Sequence, residues 1–481
     1  MAEHIHMIGI GGVGMSAIAT VLLEMGHKVS GSDLKDSETL HRLQQEGAGV
    51  FVGHEASHIE GADLIVYSSA IPKHNPELLA AGKQNIPILH RSEMLARLLN
   101  DKLGIAVAGA HGKTTITGMI AHILTKLEVD PTVLAGGEMQ NQCVHARWGE
   151  GHYVVAEADE SDASFLRYFP HIAVITSVEA DHLENFGGRA GRLVASYKSF
   201  LGNIKAGGVL IISRDAYKIL EDEIKALENK ISVIVYGLDQ ANGDVGFKDS
   251  INTATNVDGY RAEEIKLVES TACFYVYFNG ECLGECCISV PGRYNVENAL
   301  AAIAVARSAG LEYSEIFRAL GGFHGAHRRF EWIGTAKGVL VYDDYAHHPT
   351  EIKNALKAAK TGFNRRVIAI FQPQRYSRTK LFMHEFSQSF KEADIAVITD
   401  IYAPPPEVPL PGITAKRLAK LVAEDIGEDR VMFIGDKEQI SERLEPVLEN
   451  DDLVITMGAG DIWQVAHELV ERLEHTGVQG L

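Results

Sequence analysis

The chain has 481 residues, 46% hydrophobic and 23% charged, with 45 basic against 64 acidic side chains and a formal net charge of −19. That length predicts two to four compact units, and that composition is globular rather than disordered. The acidic balance excludes a nucleic-acid partner, because a phosphate backbone would meet repulsion, yet it allows a small nucleotide in a locally basic pocket.

In chain order, a strand over 4–8 runs into Gly9-Ile10-Gly11-Gly12-Val13-Gly14, then a helix over 15–25 and a strand over 27–31 that ends at Ser32-Asp33. A GxGxxG turn between strand and helix, with an acid about 20 residues on, is the dinucleotide fingerprint. Backbone amides read phosphate and not the base, so NAD and a UDP-sugar both fit this turn. A buried strand over 62–67 then delivers Ser68 and Ser69 to a loop. A helix over 91–99 and the polar Asn100-Asp101-Lys102 close the first unit, residues 1–100.

The second unit starts with the apolar run Leu103–Ala108, followed by Gly109-Ala110-His111-Gly112-Lys113-Thr114-Thr115 and a helix over 116–127. Glycines let successive amides face a phosphate, the helix N-terminus adds partial positive charge, and Lys113 adds a full one. Thr114 supplies a hydroxyl for a phosphate-bound Mg²⁺. The first glycine stands closer to Gly112 than in the common GxxxxGK[ST] pattern. Two further strands end in polar clusters: 153–157 at Glu157-Ala158-Asp159-Glu160-Ser161-Asp162, and 172–178 at Glu179-Ala180-Asp181-His182. In a parallel sheet all three ends converge on one edge, which predicts ATP–Mg²⁺ chemistry. Five cysteines (Cys143, Cys273, Cys282, Cys286, Cys287) make no CxxC pair and no secreted framework, and read as free strand thiols. No run of about 18 apolar residues spans a bilayer and no signal peptide pattern occurs, so a cytoplasmic protein without a membrane partner is expected. The third unit alternates strands over 338–342, 366–371, 395–399, 431–434 and 453–457 with helices, the last strand ending at Gly458-Ala459-Gly460-Asp461. Arg375 and Arg378, beyond one strand end, are suited to a carboxylate.

The phosphate loop with the Glu157–Asp162 and Glu179–His182 clusters resembles the Mur ligases, the ATP-dependent amide ligases of peptidoglycan synthesis. Pro291-Gly292-Arg293-Tyr294-Asn295-Val296-Glu297-Asn298, Phe323–Phe330 with its Arg329, Asp343-Asp344-Tyr345-Ala346-His347-His348 and Gln372–Thr379 continue the resemblance through all three units. It implies an α/β fold of three domains. Residues 1–100 form a Rossmann-like UDP-sugar-binding domain, 101–323 a central P-loop domain, and 324–481 a Rossmann-like domain for the incoming amino acid and part of ATP. The implied reaction joins L-alanine to the lactyl carboxylate of UDP-N-acetylmuramate through an acyl phosphate; the alternative adds a murein tripeptide instead. Implied ATP contacts are residues 109–115 (Gly109, Ala110, His111, Gly112, Lys113, Thr114, Thr115), Asn295, Asn298, Arg329, Asp344 and His347. The resemblance puts Thr114, Glu157 and His182 on Mg²⁺, with Lys113, Glu157, His182, Arg329 and Asp344 as catalytic residues. It puts Gly11, Gly12, Gly14 and Ser69 on the UDP-sugar, and Tyr345, His348, Arg375 and Arg378 on the amino acid. A monomer or homodimer, with domain closure excluding water, is expected. Tyr294 and Gln374 stand where the family commonly has histidine, which leaves the choice among L-alanine, glycine and L-serine open. Lys198 reads as a surface helix residue rather than a carbamylated metal ligand.

Overall fold

A computed structural model describes residues 2–137, 146–160, 163–179, 186–187, 189–238, 258–404 and 407–476. The chain divides into two compact units, one of residues 1–263, 275–286 and 297–322, the other of 264–274, 287–296 and 323–481.

Among the described residues, the first unit opens with a five-stranded parallel sheet in the spatial order Gly49–Val52, Lys28–Asp33, His4–Ile8, Leu64–Tyr67, Ile88–His90. Ile5, Met7 and Ile8 are fully buried, as expected of a strand covered by helices on both faces. Strand order reverses at His4–Ile8, so the glycine turn that follows it sits at the switch point where such sheets take ligands. The helix Val13–Glu24 starts from Gly12 with no side-chain cap, leaving its first amides for another acceptor. Asn75 by contrast caps the helix Pro76–Gln84 through its side chain, with Pro76 at the first position and left-handed Asn85 at the end.

The next sheet has ten strands among the described residues, the phosphate-loop strand Leu103–Ala108 lying between Ile172–Ile175 and Tyr153–Glu157. Both neighbours are parallel to it, with Ile175 opposite Ala108 and Glu157 opposite Val107. The three polar strand ends are therefore adjacent, as their sequences require. Three long strands, Asp258–Val268, Thr271–Phe278 and Glu281–Ile288, extend this sheet; their many polar positions make a weak strand signal, and the sequence expectations above do not include them.

In the second unit, Arg366–Phe371 shows why its sheet forms. Val367, Ala369 and Phe371 pack on one face while Ile368 and Ile370 pack on the other, each large side chain contributing about 1.5–3 kcal/mol by burial. The order is Glu331–Ala336, Val339–Asp344, Asp452–Met457, Arg366–Phe371, Ile395–Ile398, Val431–Phe433, with only the first strand antiparallel among those described. The last strand of the chain thus lies between the first two parallel ones, which sequence order alone does not reveal.

The free-thiol expectation is corrected at one pair. Cys273 and Cys287 form a disulfide, their Cα atoms 4.1 Å apart on neighbouring strands. Cys282 is exposed and Cys286 buried, both as thiols, and burial pushes the Cys286 thiol up to about 12. Cys143 lies outside the described residues. No helix of the described residues is long and apolar enough to cross a membrane.

Candidate active site

In the first unit, the chain leaves Ala108 through Gly109 at φ 133° and enters the helix Lys113–Lys126 through Gly112 at φ 80°. Neither position accepts a side chain: a Cβ on Gly109 would stand 2.0 Å from Thr176 Oγ1, and one on Gly112 would stand 2.7 Å from Asn298 Oδ1. Hydrogen bonds from the adjacent strand end pin the loop. Ala110 N–H donates to Ser177 O at 3.2 Å and His111 N–H to Ser177 Oγ at 3.1 Å, while Thr176 Oγ1 donates to His111 O at 2.5 Å. His111 Nε2 lies 3.3 Å from Glu179 Oε2.

The charges around the loop are concentrated. Lys113 Nζ donates to Gly109 O at 2.5 Å and to Glu160 Oε1 and Oε2 at 3.1 and 2.9 Å. Burial alone would lower the Lys113 pKa, but Glu160, with Asp159 and Glu157 behind it, holds it above the ordinary lysine value. Glu157 Oε1 is buried with no hydrogen-bond partner among the described residues. Glycine at 136 makes room for that carboxylate, since a Cβ there would come within 2.3 Å of Glu157 Oε2. An orphaned carboxylate oxygen beside a phosphate loop suits a hard divalent cation, which takes oxygen ligands. The donor set therefore fits Mg²⁺. His182, with Asp181, Ser161 and Asp162, lies outside the described residues.

At the first sheet, Gly11 N–H donates to Asp33 Oδ2 at 3.0 Å, and Gly9 and Ile10 N–H groups donate to Ser32 O at 2.8 and 3.1 Å. Ser69 Oγ and His90 Nε2 are 3.0 Å apart. Sequence reasoning missed Arg91, whose Nη2 lies 3.5 Å from Asp159 Oδ2 and whose Nη1 would meet a Cβ on Gly14 at 3.3 Å. It joins the glycine turn to the acidic motif, and only a contact distant in sequence reveals it. Lys198, on the helix Ala190–Leu201, is half-exposed with Glu223 4.0 Å away.

The second unit gathers the remaining candidates. Asp344 accepts Phe330 and Ala346 N–H groups at 2.8 and 2.7 Å. Burial pushes its carboxyl up to about 7, with Arg329 pulling the other way. Arg329 Nη1 lies 3.8 Å from Glu351 Oε1 and its guanidinium 5.2 Å from the Tyr345 ring centre. Burial brings His347 down to about 4 against the pull of Glu351, and its Nδ1 meets Tyr345 O at 2.9 Å. His348 caps the helix Pro349–Phe363 and Glu351 completes the capping box. Asn295 Nδ2 donates to Pro291 O at 2.8 Å. Buried Arg378 donates from Nη1 to Gln374 Oε1 at 3.0 Å, so it is a packed side chain rather than a surface arginine. Arg375, at φ 64°, anchors its own N–H on Tyr402 O at 2.8 Å.

This chain belongs to the Mur ligase family. Its residues 4–103 match the "Mur ligase family, catalytic domain", 107–306 the "Mur ligase middle domain" and 328–460 the "Mur ligase, glutamate ligase domain". Among its relatives are UDP-N-acetylmuramate–L-alanine ligases from Geobacter sp. (strain M21), 43% identical over 98% of both chains, and from Symbiobacterium thermophilum, 43% identical over 99% of this chain and 96% of that one. The crystal structure of the UDP-N-acetylmuramate–alanine ligase of Thermotoga maritima is similar at TM-score 0.78 and 29% identity, covering 98% of this chain and 100% of that one. The murein peptide ligase of Psychrobacter arcticus shares the fold at TM-score 0.66 and 24% identity, over 98% and 99% of the two chains.

Proposed function

We propose that this chain is an ATP-dependent ligase joining L-alanine to the lactyl carboxylate of UDP-N-acetylmuramate, with release of ADP and phosphate. The observation that carries this reading is the phosphate loop itself, with Lys113 held over it and Glu157 delivered by the adjacent parallel strand. Ligases of that name match the chain end to end.

Forming an amide from a carboxylate in water is uphill, so the carboxylate is first activated. It attacks the γ-phosphate of ATP and ADP leaves; the L-alanine amine then attacks the acyl carbon and phosphate departs. Phosphoryl transfer asks the protein for positioning and charge neutralisation. Lys113 neutralises the β- and γ-phosphates, the amides of residues 109–115 cradle them, and Asn295, Asn298, Arg329, Asp344 and His347 align the nucleotide. Thr114, Glu157 and His182 hold Mg²⁺, which supplies further charge neutralisation on the phosphates. Gly11, Gly12, Gly14 and Ser69 take the UDP-sugar, and Tyr345, His348, Arg375 and Arg378 the amino acid. The division of labour follows residues 1–100, 101–323 and 324–481. The protein works in the cytoplasm as a monomer or homodimer, without nucleic acid or membrane. ADP release with UDP-N-acetylmuramate tests the reading, comparing L-alanine, glycine, L-serine and the tripeptide. L-Alanine is expected to give the highest rate, and a preference for the tripeptide overturns it.

A further inference from the structure

The cation assigned to the phosphates already has a full set of acceptors. The ammonium of Lys113 offers three hydrogens, and Gly109 O and the two oxygens of Glu160 take them at 2.5, 3.1 and 2.9 Å. Glu160 is 3% exposed, and its carbonyl is held as well. Past the strand Tyr153–Glu157, Ala163 stands at φ 57° and its N–H donates to Glu160 O at 3.0 Å, and a short 3₁₀ turn over Ser164–Arg167 follows. The Glu160 side chain meets the phosphate loop at the Lys113 ammonium. Glu157 and Glu160 leave the same strand end in different circumstances: one carries an oxygen without a partner among the described residues, the other is spent on the lysine.

We propose that Glu160 is a positioning residue that holds the Lys113 ammonium at the phosphate loop and competes with the nucleotide's phosphates for it. This rests on the ATP-ligase reading above. A buried carboxylate beside Glu157 and Asp159 occupies the electrostatic role that the γ-phosphate needs, and keeps Lys113 in place without leaving its charge unpaired. When Lys113 turns to phosphate, the Glu160 charge faces both the neighbouring acids and the incoming anion. That is unfavourable unless a cation arrives as well. Nucleotide affinity is therefore tied to divalent cation by Glu160, and the loop discriminates against metal-free ATP.

The test uses the full chain and calorimetric titration with ATP alone, in EDTA and in Mg²⁺, before and after Glu160→Gln. Glutamine keeps the shape and an acceptor but loses the charge. Metal-free ATP should bind the variant about tenfold tighter, the size of one charge-assisted contact, and Mg²⁺ should improve its affinity less than in the parent. A purely structural role for Glu160 predicts weaker binding in both buffers. In a Lys113→Ala background nothing remains to compete for, so Glu160→Gln relieves only carboxylate–phosphate repulsion, and the two changes should be clearly non-additive. Glu160→Asp, which shortens the reach, should shift affinity in the same direction by less, and serves if the glutamine variant folds poorly. Unchanged or weaker metal-free binding in a folded variant overturns the inference alone. Failure of the parent to bind ATP in either buffer overturns the ligase reading together with it.

Discussion

The chain builds strand, glycine turn and helix twice in its first unit, and the two turns use the motif differently. At Gly9–Gly14 an acid holds the turn: Asp33 Oδ2 accepts from the Gly11 amide at 3.0 Å, with Arg91 beside Gly14. At Gly109–Gly112 the turn is gripped by Thr176 and Ser177, and a part-buried Lys113–Glu160 pair sits on it. In the proposed function the first turn takes a pyrophosphate as a passive ligand, and the second carries the charge that stabilises a phosphoryl group in transit. A glycine pattern thus identifies a phosphate site, while the side chains packed around it decide whether chemistry happens there.

The largest expected effect comes from erasing that difference. Lys113→Ala removes the ammonium from the second loop and leaves the Glu160 carboxylate without it, and turnover should fall roughly 10²–10³-fold. A folded variant with near-parental ADP release would remove the assignment.

The first sheet has a buried charge of its own, one residue away from its turn through Ser32. Glu77 accepts from Ser32 at 2.6 Å and contacts His58 Nδ1 at 2.8 Å, with His6 and His54 nitrogens 3.5 Å off. Burial would raise its pKa, but the hydrogen bonds from His6, Ser32 and His58 prevail and bring it from 4.5 to about 2. The folded state therefore binds fewer protons than the unfolded one in that interval. Stability is fully present above pH 4.5 and drains as pH falls towards 2, by at most about 3 kcal/mol. Glu77→Gln should flatten that part of an acid-unfolding curve while sparing the phosphate loop's ATP affinity at neutral pH.

A third site should respond independently of both turns. Arg378→Lys keeps the charge but loses the planar fork. The KM for L-alanine should rise about ten- to hundredfold, equivalent to a charge-assisted hydrogen bond of about 1.5–3 kcal/mol. Trapping of the acyl phosphate with hydroxylamine should still succeed. Loss of ATP binding instead would transfer this arginine to the nucleotide.

The smallest contrast lies in the glycines themselves. Gly109→Ala forces a methyl to 2.0 Å from Thr176 Oγ1 and should destabilise the loop, by about 1–3 kcal/mol. Gly12 lies at φ −68°, and a Cβ there would stand 3.5 Å from Gly9 O, an ordinary contact. Gly12→Ala should leave thermal unfolding within about 0.5 kcal/mol of the parent, yet weaken UDP-N-acetylmuramate binding by filling the phosphate's approach. Melting curves paired with calorimetry separate the two.

Much of this was legible because it is local. Apolar runs such as Arg366–Phe371 and Tyr153–Glu157 mark their own strands, glycine placement marks both turns, and parallel pairing follows from strand–helix alternation. The motifs in order carry the family and the reaction. What tertiary structure alone decided depends on contacts far apart in sequence: Glu160 on Lys113, Arg91 beside Gly14 and Asp159, the Glu77 cluster, Cys273 against Cys287, and the final strand inserted beside Val339–Asp344. No periodicity encodes such pairings. A strand's apolar pattern says that it will be buried, and side-chain packing across the sheet says which neighbour buries it. The partner of a buried charge is likewise set by where the chain folds back, because a carboxylate out of water is stable only beside the cation the fold brings to it.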